Sequence, residues 1–506
     1  MKHRKYIITG LVLAGLMNFS SCSLGYDPIA SYSDVTEGVQ DDEGEKQEFQ
    51  SQADVELALE GLYQKMKDRI EHWYLDCLLI GDSHADNAYA GTTGAETVPF
   101  ENNTVDGGNT VLERDWSRYM EDVAAANRII CNIDAVSDPN FTADARNSIK
   151  AQAEIFRSLV WFYMVRIWGN IPLNTTLPPD ITADNIEEVY DEYFPSRSTE
   201  LEVYQQIEAD LLDALKYAPD NNPADKTLFT KSVARALLAK VYAEKPLRDY
   251  NKVIEYCSAL EADGFGLADS YSDLFALNEN GTDLKMRNTR EGILEAQFPA
   301  SGGNWCAWMF GRDLLDWNNS FTWAKWVTPS RDLIALFTSE GDTQRLDESV
   351  VYYECTWSNY YPSDHYPFMY KCRAGCSSVL YLRYADLLLL KAEAYLRGDA
   401  KNLNAAADII DRIRIRAGLN KLPDSVRNNE TELWKAYMKE RRLELAFEGQ
   451  RWFDLCRWDE VENVMNNLRD EGRFARINDF DKNSYFFAVP QTALDGNENL
   501  VQNPGY

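Results

Sequence analysis

The chain has 506 residues, 45% hydrophobic and 12% aromatic, with 51 Lys and Arg against 81 Asp and Glu for a formal net charge of −30. That length and apolar content suffice for a large folded body with no need of a metal or disulfide staple. The acidic excess excludes nucleic acid as a partner, because phosphate binding requires a concentrated basic footprint, and otherwise speaks to solubility rather than specificity.

At the N-terminus Lys2, Arg4 and Lys5 precede an apolar run from Tyr6 to Met17 and then Ser20-Ser21-Cys22. This is the layout of an export signal, and its run is too short for a hydrocarbon core that needs roughly twenty residues. Residues 1–21 are therefore expected to be a lipoprotein signal peptide, with Cys22 the lipidated residue of the mature chain, anchored to a membrane rather than spanning it. Residues 1–21 hold three basic and no acidic side chains, so cleavage makes the protein more acidic. Residues 22–48 are polar and acidic, ending in Gln40-Asp41-Asp42-Glu43-Gly44-Glu45-Lys46, and read as a lipidated tether.

Helical periodicity then begins. Val55, Leu59, Leu62 and Met66 recur every three or four residues on one face. After the apolar Leu78-Leu79-Ile80 comes a short polar stretch, Gly81-Asp82-Ser83-His84-Ala85-Asp86-Asn87-Ala88-Tyr89, read as turn-like; Asp86, Asn87 and Tyr89 in it are candidates for a binding face. In such a segment Asp and Asn also commonly satisfy their own loop backbone.

A helix is predicted over residues 112–133, and another over 151–167 that is apolar nearly all round and stops at Gly169-Asn170-Ile171-Pro172. An all-apolar helix is core, so Trp161 and Trp168 read as packing residues. Thr199 and Glu202 form a capping box before Val203, Ile207, Leu211 and Leu215. The next helix has a ridge of Val233, Leu237 and Val241, with Ala234, Ala236, Ala239 and Ala243 allowing close approach, and a third covers 250–260. The pattern returns over 382–396, 405–417 and 432–447. The fold class is therefore mainly all-α, with tetratricopeptide-like helical hairpins flanking a different middle.

That middle, residues 265–378, loses helical period and gains Gly, Asn, Ser, Pro and aromatics. Trp305, Trp308, Trp317, Trp323 and Trp326 crowd into it beside Arg312, Asp316, Asn318 and Asn319, and residues 351–361 add a second aromatic cluster. Sugar rings stack their C–H faces on indoles while their hydroxyls need amide, carboxylate and guanidinium partners. The candidate ligand-binding residues are thus Trp305, Trp308, Trp317, Trp323, Arg312 and Asn318, with about half of the tryptophans expected to fill the core of the loop region instead.

Eight further cysteines, Cys77, Cys131, Cys257, Cys306, Cys355, Cys372, Cys376 and Cys456, are scattered, several in apolar helical patterns, and no disulfide framework is predicted. Asp313 and Asp316 could suggest a sugar-cleaving pair, but three residues apart in a mixed-polarity segment they read as a solvated or salt-bridged face, and no enzymatic activity is expected. With four histidines, no H-E-x-x-H, no phosphate-binding loop and no G-x-S-x-G elbow, neither metal nor cofactor is predicted.

Several segments, in order and spread over nearly the whole mature chain, resemble marker motifs of the SusD/RagB family. Ala153-Glu154-Ile155-Phe156-Arg157 through Ile167-Trp168-Gly169-Asn170-Ile171-Pro172-Leu173 resembles its long core helix and exit, and Leu382-Arg383-Tyr384-Ala385-Asp386-Leu387 through Ala392-Glu393-Ala394-Tyr395 resembles another. The most specific is Glu440-Arg441-Arg442-Leu443-Glu444-Leu445-Ala446-Phe447-Glu448-Gly449-Gln450-Arg451-Trp452-Phe453-Asp454-Leu455, and the ending Asn499-Leu500-Val501-Gln502-Asn503-Pro504-Gly505-Tyr506 is similar too. Read from their chemistry, these helical charges form interhelical ion pairs and caps rather than contacts to ligand.

The resemblance implies residues 49–264 as an N-terminal SusD-like helical region, 265–378 as the loop-rich ligand-binding region and 379–506 as a C-terminal RagB/SusD helical region. It further implies cell-surface capture of a carbohydrate and its delivery to a SusC-like TonB-dependent transporter of the outer membrane, on which the protein acts as a lid facing the extracellular side. Capture of peptides by the same lid mechanism is the alternative reading, and an all-α glycoside hydrolase a weaker one.

Overall fold

The computed structural model describes residues 48–91, 94–178, 185–310, 326–355, 360–468 and 478–506. Cys22, Arg312, Trp317, Asn318 and Trp323 lie outside the described residues.

Helix α1, Gln52–Asp68, starts where the Ser51 side chain accepts the Asp54 N–H while the Asp54 carboxylate accepts the Ser51 N–H. Its predicted face is buried at Val55, Leu59, Leu62 and Met66, each contributing about 1.5–3 kcal/mol of transfer free energy. Helix α2, Thr110–Asn132, is capped by Asn109. Helix α3, Ala143–Trp168, begins two turns before the predicted start because Thr142 caps it, and it ends at Gly169 with φ of +70°. Trp161 and Trp168 are fully buried in it, as read from the sequence.

The stacked hairpins follow. Helix α4, Glu200–Tyr217, opens on the predicted Thr199/Glu202 capping box. Helix α5, Lys231–Val241, buries Ala234, Ala236 and Ala239, so its backbone comes close to its neighbours. Helix α6 is Tyr250–Ala262. After the middle come α7, Arg331–Glu340, α8, Tyr384–Arg397, α9, Leu403–Arg416, and α10, Glu430–Glu444. All but α7 pack in a stack: α3 lies against α2 and α4, α4 against α5, α5 against α6, α6 against α8, and α8 against α9 and α10, while α7 touches α10. The stretch Phe49–Tyr506 is one compact unit, and its described sheets are all two-stranded.

Two local readings differ from expectation. Residues 81–83, read as turn-like, continue a helix with π-helical turns at Glu71–Leu75 and Leu79–Ser83. Leu382 and Arg383, read as helical, end a strand: Val379–Arg383 pairs antiparallel with Gly292–Ala296, with Gly292 opposite Arg383. The middle also holds the antiparallel pair Val350–Tyr353 and Tyr366–Met369.

Candidate ligand-binding site

Trp305 and Trp308 flank the start of a single helical turn, Ala307–Phe310. They are 41% and 50% exposed, whereas Cys306, Ala307, Met309 and Phe310 beside them are buried. The turn is pinned from below, with the Phe310 ring meeting Tyr74 edge to face at 6.0 Å. Trp326 is buried and donates its backbone N–H to the Met309 carbonyl at 3.2 Å.

Asn304 holds the approach to this turn. Its Nδ2 donates to the Ser377 carbonyl at 2.8 Å and to Cys372 Sγ at 3.3 Å, while its Oδ1 accepts the Cys306 N–H at 3.1 Å. Two indoles three residues apart are held half-exposed around one turn whose other side chains are buried, and their exposure costs the protein apolar area that it could otherwise bury. The pair is therefore an apolar platform set on a rigid base. Among the second aromatic cluster, Tyr353 is exposed and Tyr352 stacks on His365 at 4.1 Å, while Tyr360 is buried.

Asp86, Asn87 and Tyr89, expected on a binding face, lie inside the protein. The Asp86 carboxylate receives Arg451 at Oδ1 and Oδ2, 2.7 and 2.9 Å, and Arg442 at 3.3 Å. Burial alone would raise the Asp86 pKa, but Arg442 and Arg451 together hold it well below the usual carboxylate range. Asn87 accepts from Arg442 Nε at 2.8 Å and donates to Asp82 at 2.7 Å. The Tyr89 ring stacks on Tyr360 at 4.7 Å and its hydroxyl accepts from Arg331. These groups are spent on protein partners, because the segment at 81–89 docks against the turn at 447–451.

That docking is close. A Cβ on Gly81 would lie 2.3 Å from the Gly449 carbonyl carbon, and Gly449 itself has φ of +68°. Asp82 accepts the backbone N–H groups of Phe447, at 3.1 Å, and Gly449, at 2.9 Å. Phe447 sits at φ of +60°, a left-handed conformation that disfavours an aromatic residue, so the Asp82 carboxylate offsets local strain. Burial raises Asp82 to about 6 despite the donors from Asn87, Gly449 and Phe447.

The charged residues of the 440–455 motif make the interhelical ion pairs expected of them. Glu444 meets Arg345 at 3.0 Å, Arg383 at 2.6 Å, and also Arg416. Arg383 further reaches Glu291 and Glu448, and Lys371 closes on Glu448 at 2.6 Å. Burial opposes ionisation of Glu444, but Arg416, Arg383 and Arg345 outweigh it and keep the carboxylate charged. A second cluster joins Arg441 to Asp386 and Asp454, each at 2.7 Å. The chain's last residues also serve the scaffold, for Asn503 donates Nδ2 to the Trp168 and Phe487 carbonyls and closes over the end of α3.

Among the described residues no group of three or more His, Cys, Asp or Glu could hold a metal ion, and no helix is long and apolar enough to cross a membrane. Sequence reasoning missed the Asn304 latch and the Tyr74–Phe310 contact, since both join segments far apart in the chain and neither leaves a local signal.

Comparison with known proteins follows the same lines. A family model described as SusD family matches residues 373–506, and one described as starch-binding associating with outer membrane matches residues 38–243. SusD-like protein P2 of Formosa agariphila is 26% identical over 499 residues, covering 90% of this chain and 93% of its own. A SusD-like protein of Bacteroides ovatus is 25% identical, covering 77% and 73%. A SusD superfamily structure from Bacteroides vulgatus superposes with a TM-score of 0.72 at 18% identity, covering 90% of this chain and all of that one. A laminarin-binding SusD-like protein gives 0.64 at 22%, with the same coverage. At these identities the structures establish the fold.

Proposed function

This chain belongs to the SusD/RagB family, and on that premise we propose that it captures a glycan at the cell surface and delivers it to a SusC-like TonB-dependent transporter of the outer membrane. The observation that carries the reading is the pair of half-exposed indoles, Trp305 and Trp308, on a turn whose other residues are buried. Flat apolar faces beside polar loop residues suit the alternating C–H and hydroxyl surface of a neutral sugar chain. Arg312, Trp317, Asn318 and Trp323 follow in sequence and complete the proposed site. A laminarin-binding relative of the same fold and a matched family described as starch-binding support the ligand class.

In this reading the protein binds and does not cleave, the family being one of binding proteins. Lipidation at Cys22 holds it on the membrane, and the helical stack faces the transporter. Calorimetry of the chain begun after Cys22 against neutral glycans and peptides, with product analysis on each hit, tests it. Binding of a neutral glycan without cleavage is expected; peptide-only binding or cleavage would overturn the reading.

A further inference from the structure

One cavity of the protein has no lining residue in common with the tryptophan turn. The segment around residues 103–108 meets two close to the end of the chain, 478–484 and 491–506, around an open cavity of about 940 Å³, within the range of small-ligand sites. Its walls are tied together before any ligand arrives. Asn103 and Asn478 each donate Nδ2 to the other's carbonyl, at 3.1 and 3.0 Å. The Gln502 side chain pairs with both backbone groups of Val489, at 2.7 and 2.9 Å, and Gln491 donates its N–H to the Gly107 carbonyl at 2.7 Å.

Two glycines allow this convergence. A Cβ on Gly107 would come 3.1 Å from the Val489 carbonyl oxygen, and one on Gly505, where φ is +99°, would come 3.0 Å from Asn483. The walls are therefore held by close backbone approach together with the Asn103, Asn478 and Gln502 side-chain bonds, which keeps the cost of ordering on binding small.

The lining has a definite chemistry. Asp106, Asp479 and Asp481 are exposed; Asp481 accepts the Asn483 N–H at 2.8 Å and its Nδ2 at 3.4 Å, Asp106 Oδ1 accepts the Gly108 N–H at 2.9 Å, and the described lining contains no Lys or Arg. Tyr506 stands at the rim, 44% exposed, with its hydroxyl donated to the Phe486 carbonyl at 3.3 Å. Carboxylate acceptors in excess of donors and one anchored phenol ring match a compact ligand that donates many hydrogen bonds and carries no negative charge. A sugar ring, with its hydroxyl donors and one C–H face for the phenol, has that character.

We infer that this cavity is a second saccharide site, taking a neutral sugar unit through Asp106, Asp479 and Tyr506 and rejecting uronic acids. The assignment does not rest on the tryptophan platform, and it gives the protein two points of hold on one ligand or on two.

The test uses the chain from residue 23 carrying 3-fluorotyrosine, with the Tyr506 ¹⁹F resonance assigned by its loss in Tyr506→Phe. Methyl glycosides of glucose, galactose, mannose and xylose are titrated one at a time, with methyl glucuronoside as the charged counterpart. A saturable shift of the Tyr506 resonance is expected with at least one neutral glycoside. It should be at least tenfold weaker with the glucuronoside, lost in Asp479→Ala, and retained in the Trp305→Ala/Trp308→Ala double variant. No shift with any neutral glycoside, an equal shift with the glucuronoside, or persistence in Asp479→Ala would overturn the inference. Loss of the shift in the double tryptophan variant would also overturn it, since Tyr506 would then be reporting on the tryptophan site. Retention in that variant keeps the two sites separable even if the platform itself binds nothing.

Discussion

Arg451 grips Asp86 with two parallel hydrogen bonds, Nε to Oδ1 at 2.7 Å and Nη2 to Oδ2 at 2.9 Å, across 365 positions of sequence. Both side chains are buried, so the pair joins the segment before α2 to the turn after α10 where water cannot compete. Replacing Arg451 with Met strands the Asp86 carboxylate with only Arg442 for charge, and loss of about 3–5 kcal/mol is expected. Urea unfolding followed by circular dichroism measures it; a change below about 1 kcal/mol would mean the pair adds nothing to the fold.

The Gly81–Gly449 contact gives a sharper steric case. Alanine at 81 puts a methyl group into the Gly449 backbone, which has no flexible side chain to yield. A loss of about 3 kcal/mol or more is expected for Gly81→Ala, within the range of severe single substitutions. Gly61→Ala, at a site with open space around it, serves as the control and should be neutral or slightly stabilising.

Asp76 and Asp115 give the fold a pH dependence of known sign. Burial raises both, Asp76 to about 6 even though Arg114 lies 2.6 Å from it; Asp76 raises Asp115 further, while a hydrogen bond from Asp115 draws Asp76 down. Their folded pKa values exceed the unfolded ones, so the native state binds more protons between them and stability falls as pH rises from about 4 through 6 and beyond. Asp115→Asn should flatten this slope and stabilise the protein at pH 8 by about 1 kcal/mol or more. Unfolding midpoints of both proteins at pH 5 and pH 8 give the comparison, and an unchanged slope would remove the pair as its source.

Trp305→Ala and Trp308→Ala should separate binding from folding. Each side chain is half-exposed, so the loss of stability should stay within about 2 kcal/mol and the fold should remain intact. Affinity for the captured glycan should drop about tenfold for each, ~1.4 kcal/mol. Calorimetry reads the affinity and a thermal melt reads the fold; affinity unchanged in both variants would place the ligand elsewhere.

Cys22→Ala should release the protein from the membrane fraction of cells expressing the full chain and abolish incorporation of a labelled fatty acid. Continued membrane retention with no label would show anchoring by another route.

Much of the scaffold is legible in the sequence because helical faces are local. Val55, Leu59, Leu62 and Met66, or the Thr199/Glu202 box, carry their whole signal within a few turns. The misreadings share one cause. Leu382 and Arg383 look helical until the ladder partner at residues 292–294 is known. Asp86 and Asn87 look like a binding loop because nothing nearby in sequence announces Arg442 and Arg451. Among the tryptophans, composition alone could not separate Trp326, which is buried, from Trp305 and Trp308.

The knot of guanidiniums around Glu444 has a bearing on how such a protein can change over generations. Three arginines, on three different parts of the chain, lean on one carboxylate, so exchanging Glu444 takes a partner from all three at once in a dry interior. Drift at Glu444 therefore calls for coordinated replacements, whereas Trp305 and Trp308, half-exposed, are open to single ones. A lineage meeting a new nutrient could thus reshape its grip one residue at a time while its frame stays as it was.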